Sequence, residues 1–282
     1  MADDYRFGMM DHSPGEIAAV SELVRSVFPH ARYLTARYLQ WQYVDSPDGR
    51  AVGCNGFANG RMVAHIAGVP LRARLDGEEQ RGLFLVNGAV RPDHRGRSVA
   101  RIAAKTIREE ATRLGYAFML GTGNRYSTEP LRAHYETVKP LDARLGLGRP
   151  RRRRESLAPV FERLWSREAM AWRLGNPERS YSVRARNGRV IVTAPAGKAG
   201  IGAILYDGND QWGLADRGRP HGPLRVWLGA DPALDWARSS YVSIPDRLRA
   251  SPLNLFFRDL SGNGLHLDPE PILFRAIDFD PY

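Results

Sequence analysis

Val90-Arg91-Pro92-Asp93-His94-Arg95-Gly96-Arg97-Ser98-Val99-Ala100 separates a long apolar run, Arg81 to Val90, from a segment of different rhythm. In that segment Val99, Ile102, Ala103, Ile107, Ala111 and Leu114 recur at intervals of three and four. The first run predicts a strand, the second a helix that Gly115 is placed to end, and Tyr116 to Thr122 a further short strand. The unit is strand, basic loop, helix, strand, and its crossover length sets the outer strands in one sheet. A loop that leaves a strand and opens a helix gathers unpaired backbone N–H groups and the positive end of the helix dipole. Gly96, Ser98 and Ala100 let backbone approach a ligand closely, and Arg95, Arg97 and Arg101 add charge. A diphosphate suits such a turn. An ordinary solvated turn in an arginine-rich protein accounts for the same residues about equally well.

Upstream, Ser13-Pro14-Gly15-Glu16 has the form of a capping box with proline at the first helical position, and Ile17, Val20, Val24, Val27 and Phe28 follow on one face. A second helix is expected from Thr35 through Trp41, closed by Ser46-Pro47-Asp48-Gly49. Val52 to Ala58 and Met62 to Val69 read as strands joined by the hairpin signal Asn59-Gly60, and Asp76-Gly77 turns Leu71 to Leu75 into the long run ending at Val90. Downstream the pattern starts again. Trp172, Asn176-Pro177, a strand, Asn187-Gly188 and Arg189-Val-Ile191 echo Trp41, Ser46-Pro47, a strand, Asn59-Gly60 and Arg61-Met-Val63, a weak internal repeat. The second copy has no basic loop before a long helix.

The 282 residues suffice for one large or two small domains, and 43% hydrophobic with 26% charged residues is a globular composition, which argues against wholesale disorder. Cys54 is the only cysteine, so an intramolecular disulfide and a cysteine-based zinc site are excluded. It reads as a small buried residue of a strand. No His-x-x-x-His pair or Cys/His cluster suggests a metal, no run approaches a membrane span, and the N-terminus lacks an apolar signal core; a cytoplasmic protein without a metal is expected. The net charge is +10, yet only three of the 41 basic residues are lysines, a skew that genome composition alone could produce. Half of the excess lies in Arg149 and Arg151 to Arg154. That run follows Leu145-Gly-Leu-Gly148 and precedes an apolar periodicity at Leu157, Val160, Phe161 and Leu164, so residues 149–156 are expected to be a linker between domains at 1–148 and 157–282. A solvated segment, an anionic ligand contact and a nucleic-acid contact are the three readings of it, in that order.

From Val90 to Ala100 the chain resembles the acyl-CoA-binding signature of the GNAT N-acyltransferase superfamily, a strand followed by [Q/R]-x-x-G-x-[G/A], here Arg95, Ser98 and Ala100. Serine replaces the usual glycine. Asn124 and Leu131-Arg-Ala-His134-Tyr135-Glu136 are similar to the family's next motif, while Lys139-Pro140 replaces its Gly-Phe. The resemblance implies an α/β (α+β) fold: a mixed, mostly antiparallel twisted sheet flanked by helices, with a second, degenerate GNAT-like half. It implies acetyl-CoA or another acyl-CoA as co-substrate and a small-molecule or sugar amine as acceptor. The carrier would be held by backbone at Ala89 and Val90, the loop Arg95, Gly96, Arg97, Ser98, Val99 and Ala100, and Asn124. Tyr135, on a helix, would protonate the departing thiolate, and Asn87, the only polar side chain of Phe84 to Val90, would orient water or substrate. No clear base is nominated; Asp93, His134 and Glu129 are within the motif region but suit structural roles better. The alternatives are an aminoacyl-tRNA-dependent transferase resembling the peptidoglycan aminoacyl transferases, and a noncatalytic CoA or sugar-nucleotide sensor.

Overall fold

Asn59-Gly60, Asp76-Gly77 and Asn187-Gly188 turn with positive φ at both residues, 50° and 78°, 50° and 86°, 51° and 70°. Two such residues give the hairpin loop whose twist matches that of its strands, and three antiparallel pairs are built on them. The computed structural model describes residues 4–125, 127–155, 158–197, 200–249 and 251–279; Leu157 lies outside them. The first half runs β1 (Tyr5–Met9), α1 (Pro14–Val27), α2 (Ala36–Tyr43), β2 (Val52–Ala58), β3 (Arg61–Leu75), β4 (Glu78–Val90), α3 (Val99–Arg113), β5 (Phe118–Gly123), α4 (Thr128–Arg132), β6 (Glu136–Pro140) and β7 (Asp142–Leu147). The second runs β8 (Phe161–Leu164), α5 (Arg167–Leu174), β9 (Ser182–Arg186), β10 (Arg189–Pro195), β11 (Gly202–Asn209), β12 (Leu224–Ala230), β13 (Val242–Ser243), β14 (Asn254–Asp259), β15 (Ile272–Arg275) and α6 (Ala276–Phe279).

Three local expectations are corrected. Met62 to Val69 and Leu71 to Leu75 form one strand, β3, despite Pro70. On one edge β3 pairs with β2 as far as Gly68 and with β8 from Arg72 onward, so the proline falls in a gap where a missing N–H interrupts no ladder. The capping box is half formed: Ser13 Oγ accepts from the Glu16 N–H, but the Glu16 carboxylate reaches past Ser13 to the N–H groups of Asp11 and His12 at 2.7 and 3.0 Å. The helix expected to carry Tyr135 ends at Arg132, and Tyr135 sits in a bend just before β6.

The sheet is mixed and mostly antiparallel, and its pairing repeats. In the first half the order is β2-β3-β4-β5-β14-β6, and in the second β9-β10-β11-β12-β7-β13. Among these pairs only β4 with β5 and β11 with β12 are parallel. Each half therefore takes its fifth strand from the other: β14 inserts between β5 and β6, and β7 between β12 and β13. Residues 1–148 do not close their own sheet. The core follows this exchange, with Leu71, Phe84 and Phe118 packed among Phe161, Phe257 and Phe274. On one face of the first-half strands α1 and α2 bury Ile17, Val20, Leu39 and Tyr43; on the other α3 buries Ala103, Ile107 and Ala111 over Cys54, Leu83 and Met119.

The arginine run is no free linker. Arg152 joins the ends of β11 and β12, its Nη1 lying 3.4 Å from both the Asp207 carbonyl and the Asp231 carboxylate, and Arg149 adds an ion pair to Asp207. The run's backbone is tied at Asp235 and Ala233. Residues 210–223, where the second half would need a helix after its parallel strand, contain none.

The two copies of the repeat meet at their tryptophans. Trp41 and Trp172 stack at 4.6 Å with an 18° tilt, and each indole N–H donates to the other residue's carbonyl at 3.0 Å. Reciprocal contacts of this kind require a local two-fold relation between α2 and α5. Trp172→Ala removes the stack and leaves the Trp41 carbonyl unpartnered, so we expect a loss of about 3 kcal/mol in urea denaturation. An unchanged midpoint would show that the halves are held together elsewhere.

Candidate active site

The first-half sheet opens at the end of β4. Gly82 to Leu85 pair in parallel with Phe118 to Gly121; beyond that register the two strands no longer pair, although β4 continues to Val90 and β5 to Gly123. The cause is a bulge. Between the pairs Val86 with Ala67 and Ala89 with His65, β4 advances three residues while β3 advances two. Asn87 carries the distortion, with φ +55°, a left-handed conformation that asparagine tolerates better than most residues. A bulge bends its strand and strengthens the local twist. The edge of β4 facing β5 is thereby left with backbone groups that no strand satisfies.

That edge leads straight into the basic loop. Pro92–His94 make a 3-10 turn, Arg95 Nε donates to the Val90 carbonyl at 3.3 Å, and Gly96 takes φ +75° with nothing near where a Cβ would be. Ser98 is the N-cap of α3 at φ +60° and makes no side-chain cap bond. This explains why glycine suits the position. Val99 is buried beneath the first turn while Arg95, Gly96, Arg97, Ser98 and Ala100 are exposed, and the turn contains no acidic residue. Its N–H groups thus face outward with the helix dipole behind them. Tyr5, on β1, braces the loop from outside: its hydroxyl is 2.9 Å from His94 Nδ1 and accepts from Arg97 Nη1 at 3.4 Å.

A polar chain runs from the surface to the bulge. Glu16 Oε1 accepts from Asn55 Nδ2 (2.8 Å), Asn55 Oδ1 meets His65 Nδ1 (2.7 Å), and His65 Nε2 meets the Tyr43 hydroxyl (3.0 Å). Asn87 Nδ2 donates to the Tyr43 hydroxyl (2.7 Å) and to Gln42 Oε1 (2.8 Å). Asn55, His65 and Tyr43 are each at most 2% exposed. Burial lowers the His65 pKa to about 3 and raises that of Tyr43, so both are neutral. The sequence carries no signal for this chain, because its members are brought together from α1, α2, β2, β3 and β4.

The remaining sequence candidates separate. Asn124 directly follows β5 and bonds Ser127 at the entry to α4, on the far side of the gap from the loop. Tyr135 is 6% exposed under α3, with its hydroxyl donating to Met119 Sδ at 3.8 Å and burial pushing its pKa up to about 12. Met119 lies in the paired part of β5, two residues before the strands part. Burial disfavours the Asp93 carboxylate, but its own N–H, Arg91 and His94 outweigh that and hold its pKa low. Glu129 pairs with Arg132, and His134 lends its carbonyl to Arg258. Burial pushes the Cys54 thiol up to about 11, as suits a core residue.

Residues 17–135 match the family model of the GNAT acetyltransferases. This stretch is a GNAT acetyltransferase domain. Solved structures share the fold over nearly the whole chain. A probable N-acyltransferase of Enterococcus faecalis superposes with a TM-score of 0.61 at 11% identity, covering 92% of this chain and 73% of that one. A GCN5-related N-acetyltransferase from Kribbella flavida gives 0.63 at 13%, covering 92% and 72%. The N-myristoyltransferase of Saccharomyces cerevisiae, solved with myristoyl-CoA, gives 0.58 at 11%, covering 91% and 83%. No curated protein matches the sequence. Among the described residues, no helix is long and apolar enough to cross a membrane.

Two predictions follow from this geometry. Ser98→Gly relieves left-handed strain without losing a cap bond, and after the extra chain entropy of glycine a gain of up to about 1 kcal/mol remains; thermal unfolding checks it, and a marked loss would contradict the strain. His65 has a folded pKa of about 3 against an ordinary 6.5. Below 6.5 the unfolded chain takes up a proton that the folded chain refuses, so stability falls with pH across the window from 6.5 to 3. Between pH 7 and 5 this residue alone removes about 2 kcal/mol. Denaturation of wild type against His65→Gln reads the difference, which vanishes if His65 is charged in the fold.

Proposed function

We propose that this protein is an acyl-CoA-dependent N-acyltransferase, with acetyl-CoA the first donor to test, acting on an amine of a small molecule or sugar. One observation carries the reading: β4 parts from β5 at Leu85 and runs on through a bulge to Val90, immediately before a basic, carboxylate-poor helix start. The unpaired edge of β4 suits the amide-bearing arm of the carrier, and the loop suits its diphosphate. On this reading Ala89 and Val90 offer backbone N–H groups to the arm and the thioester oxygen. Arg95, Gly96, Arg97, Ser98, Val99 and Ala100 enclose the diphosphate, and Asn124 borders the gap from β5. The second half is read as a degenerate copy of the first, its equivalent opening bridged by Arg152.

In the transfer, the amine nitrogen attacks the thioester carbonyl, the N–C bond forms, and negative charge develops on the oxygen, where backbone N–H groups stabilise it. Collapse breaks the C–S bond. The nucleophile is the neutral amine, its ammonium form having first given a proton to water; the nitrogen becomes positively charged in the tetrahedral intermediate, and its extra proton passes to the departing thiolate, which balances the transfer without a dedicated acid or base. Holding amine and thioester together supplies most of the acceleration. Tyr135 is assigned a packing role, since its hydroxyl faces Met119 and not the gap.

At a hundredfold excess over Kd, acetyl-CoA should stabilise the protein by about 2.7 kcal/mol, seen as a rise in Tm, and Arg97→Glu should abolish the rise. No shift for wild type would refute carrier binding. Tyr135→Phe should keep kcat within about threefold in a thiol-release assay, whereas a general acid would cost about a hundredfold or more. A loss of that size would return the tyrosine to the mechanism.

A further inference from the structure

The polar chain that ends at Asn87 has only one self-consistent polarity. A carboxylate only accepts, so Glu16 requires the amide NH2 of Asn55 to face it, and Asn55 Oδ1 is then turned to His65. His65 must carry its proton on Nδ1 to donate to that oxygen, which leaves Nε2 as a bare acceptor. Tyr43 must therefore donate to Nε2, and its oxygen is free to accept only from Asn87 Nδ2. Gln42 agrees from the other side: with its Nε2 donating to the Tyr38 hydroxyl at 3.2 Å, its Oε1 accepts from Asn87 Nδ2. Flipping the Asn87 amide would set oxygen against oxygen at both partners. Both N–H bonds of the carboxamide are thus consumed inside the protein, and Asn87 Oδ1 is the one group of that side chain left to face outward at the bulge.

We propose that Tyr43 and His65 are positioning residues that lock Asn87 with its carboxamide oxygen presented at the opening between β4 and β5, where it accepts a hydrogen bond from the N–H of the acceptor amine. The inference rests on the N-acyltransferase reading and adds to it the group that receives the nucleophile. An oxygen held in this way orients the attacking nitrogen without removing its proton. It favours acceptors that bring a hydrogen-bond donor to the bulge and disfavours groups that can only accept. Asn87 stands four hydrogen bonds from Glu16, the carboxylate at the other end of the chain, and the links between them are neutral, so an incoming amine meets an oriented dipole.

Two measurements on Tyr43→Phe test this, because phenylalanine keeps the ring in the core and deletes only the hydroxyl. The first is 15N NMR of histidine-labelled protein without ligand. Wild type should show a neutral His65 protonated on Nδ1 with a hydrogen-bonded Nε2, and the variant the same tautomer with that Nε2 bond lost. A proton on Nε2 in wild type would overturn the polarity and the proposal with it, while leaving the N-acyltransferase reading intact. The second takes the best acceptor from a panel of amino sugars, polyamines and arylalkylamines, with acetyl-CoA as donor. In Tyr43→Phe the KM for that amine should rise about tenfold, with kcat and the Kd for acetyl-CoA within about twofold. An unchanged KM overturns the proposal alone; wild-type protein that binds no acetyl-CoA overturns the functional reading beneath it.

Discussion

The one extra residue in β4 is the constraint on which the site depends. A parallel pair of strands would ordinarily stay in register to the end and leave nothing between them for a ligand to bond. Because β4 advances one residue more than β3 over Val86 to Ala89, its end twists away from β5 and exposes backbone that must find partners outside the sheet. Asn87 is suited to that place twice over. It tolerates the left-handed backbone, and its amide meets two acceptors on α2 that hold the bulge against the helix layer. The loop and the start of α3 then lie directly beyond, so one distortion sets both the opening and the approach to the basic turn.

The same opening is prepared in the second half and then closed. There β11 pairs with β12 only from Gly202 to Ile204 and has its own register shift against β10, yet no helix follows it. Arg152 spans the gap, and Asp207 collects Arg149 and Arg189. Strand exchange ties this closed copy to the open one. With β14 lodged between β5 and β6, the wall of the candidate site beyond β5 is made by residues more than 130 positions downstream of it. Neither half has a complete sheet without its partner, and residues of both share one aromatic core.

What the sequence revealed and concealed divides along the range of the interactions. The strand, basic loop, helix and strand from Arg81 to Thr122 were legible because periodicity, the glycines and the chain order are local. So were the Asn-Gly hairpins, and so was the missing helix of the second half. The strand exchange left no trace, since the short apolar run within Asn254 to Asp259 reads the same whichever sheet receives it. The arginine run looked like a linker for a related reason: only the folded sheet brings Asp207 and Asp231 to it. Tyr135 was expected on a helix from motif resemblance, but the chain enters β6 at Glu136 and the ring turns inward beneath α3. The Tyr43 to His65 contact joins two elements that no spacing rule connects.

A crystal structure of the protein with acetyl-CoA is the most direct test of the opening between β4 and β5. The pantetheine arm should lie along β4 from the bulge to Val90, with the thioester oxygen within about 3 Å of a backbone N–H at Ala89 or Val90, and the diphosphate against the loop from Arg95 to Ala100. A carrier bound elsewhere on the molecule, or strands that pair through to Val90 with that edge sealed, would contradict it.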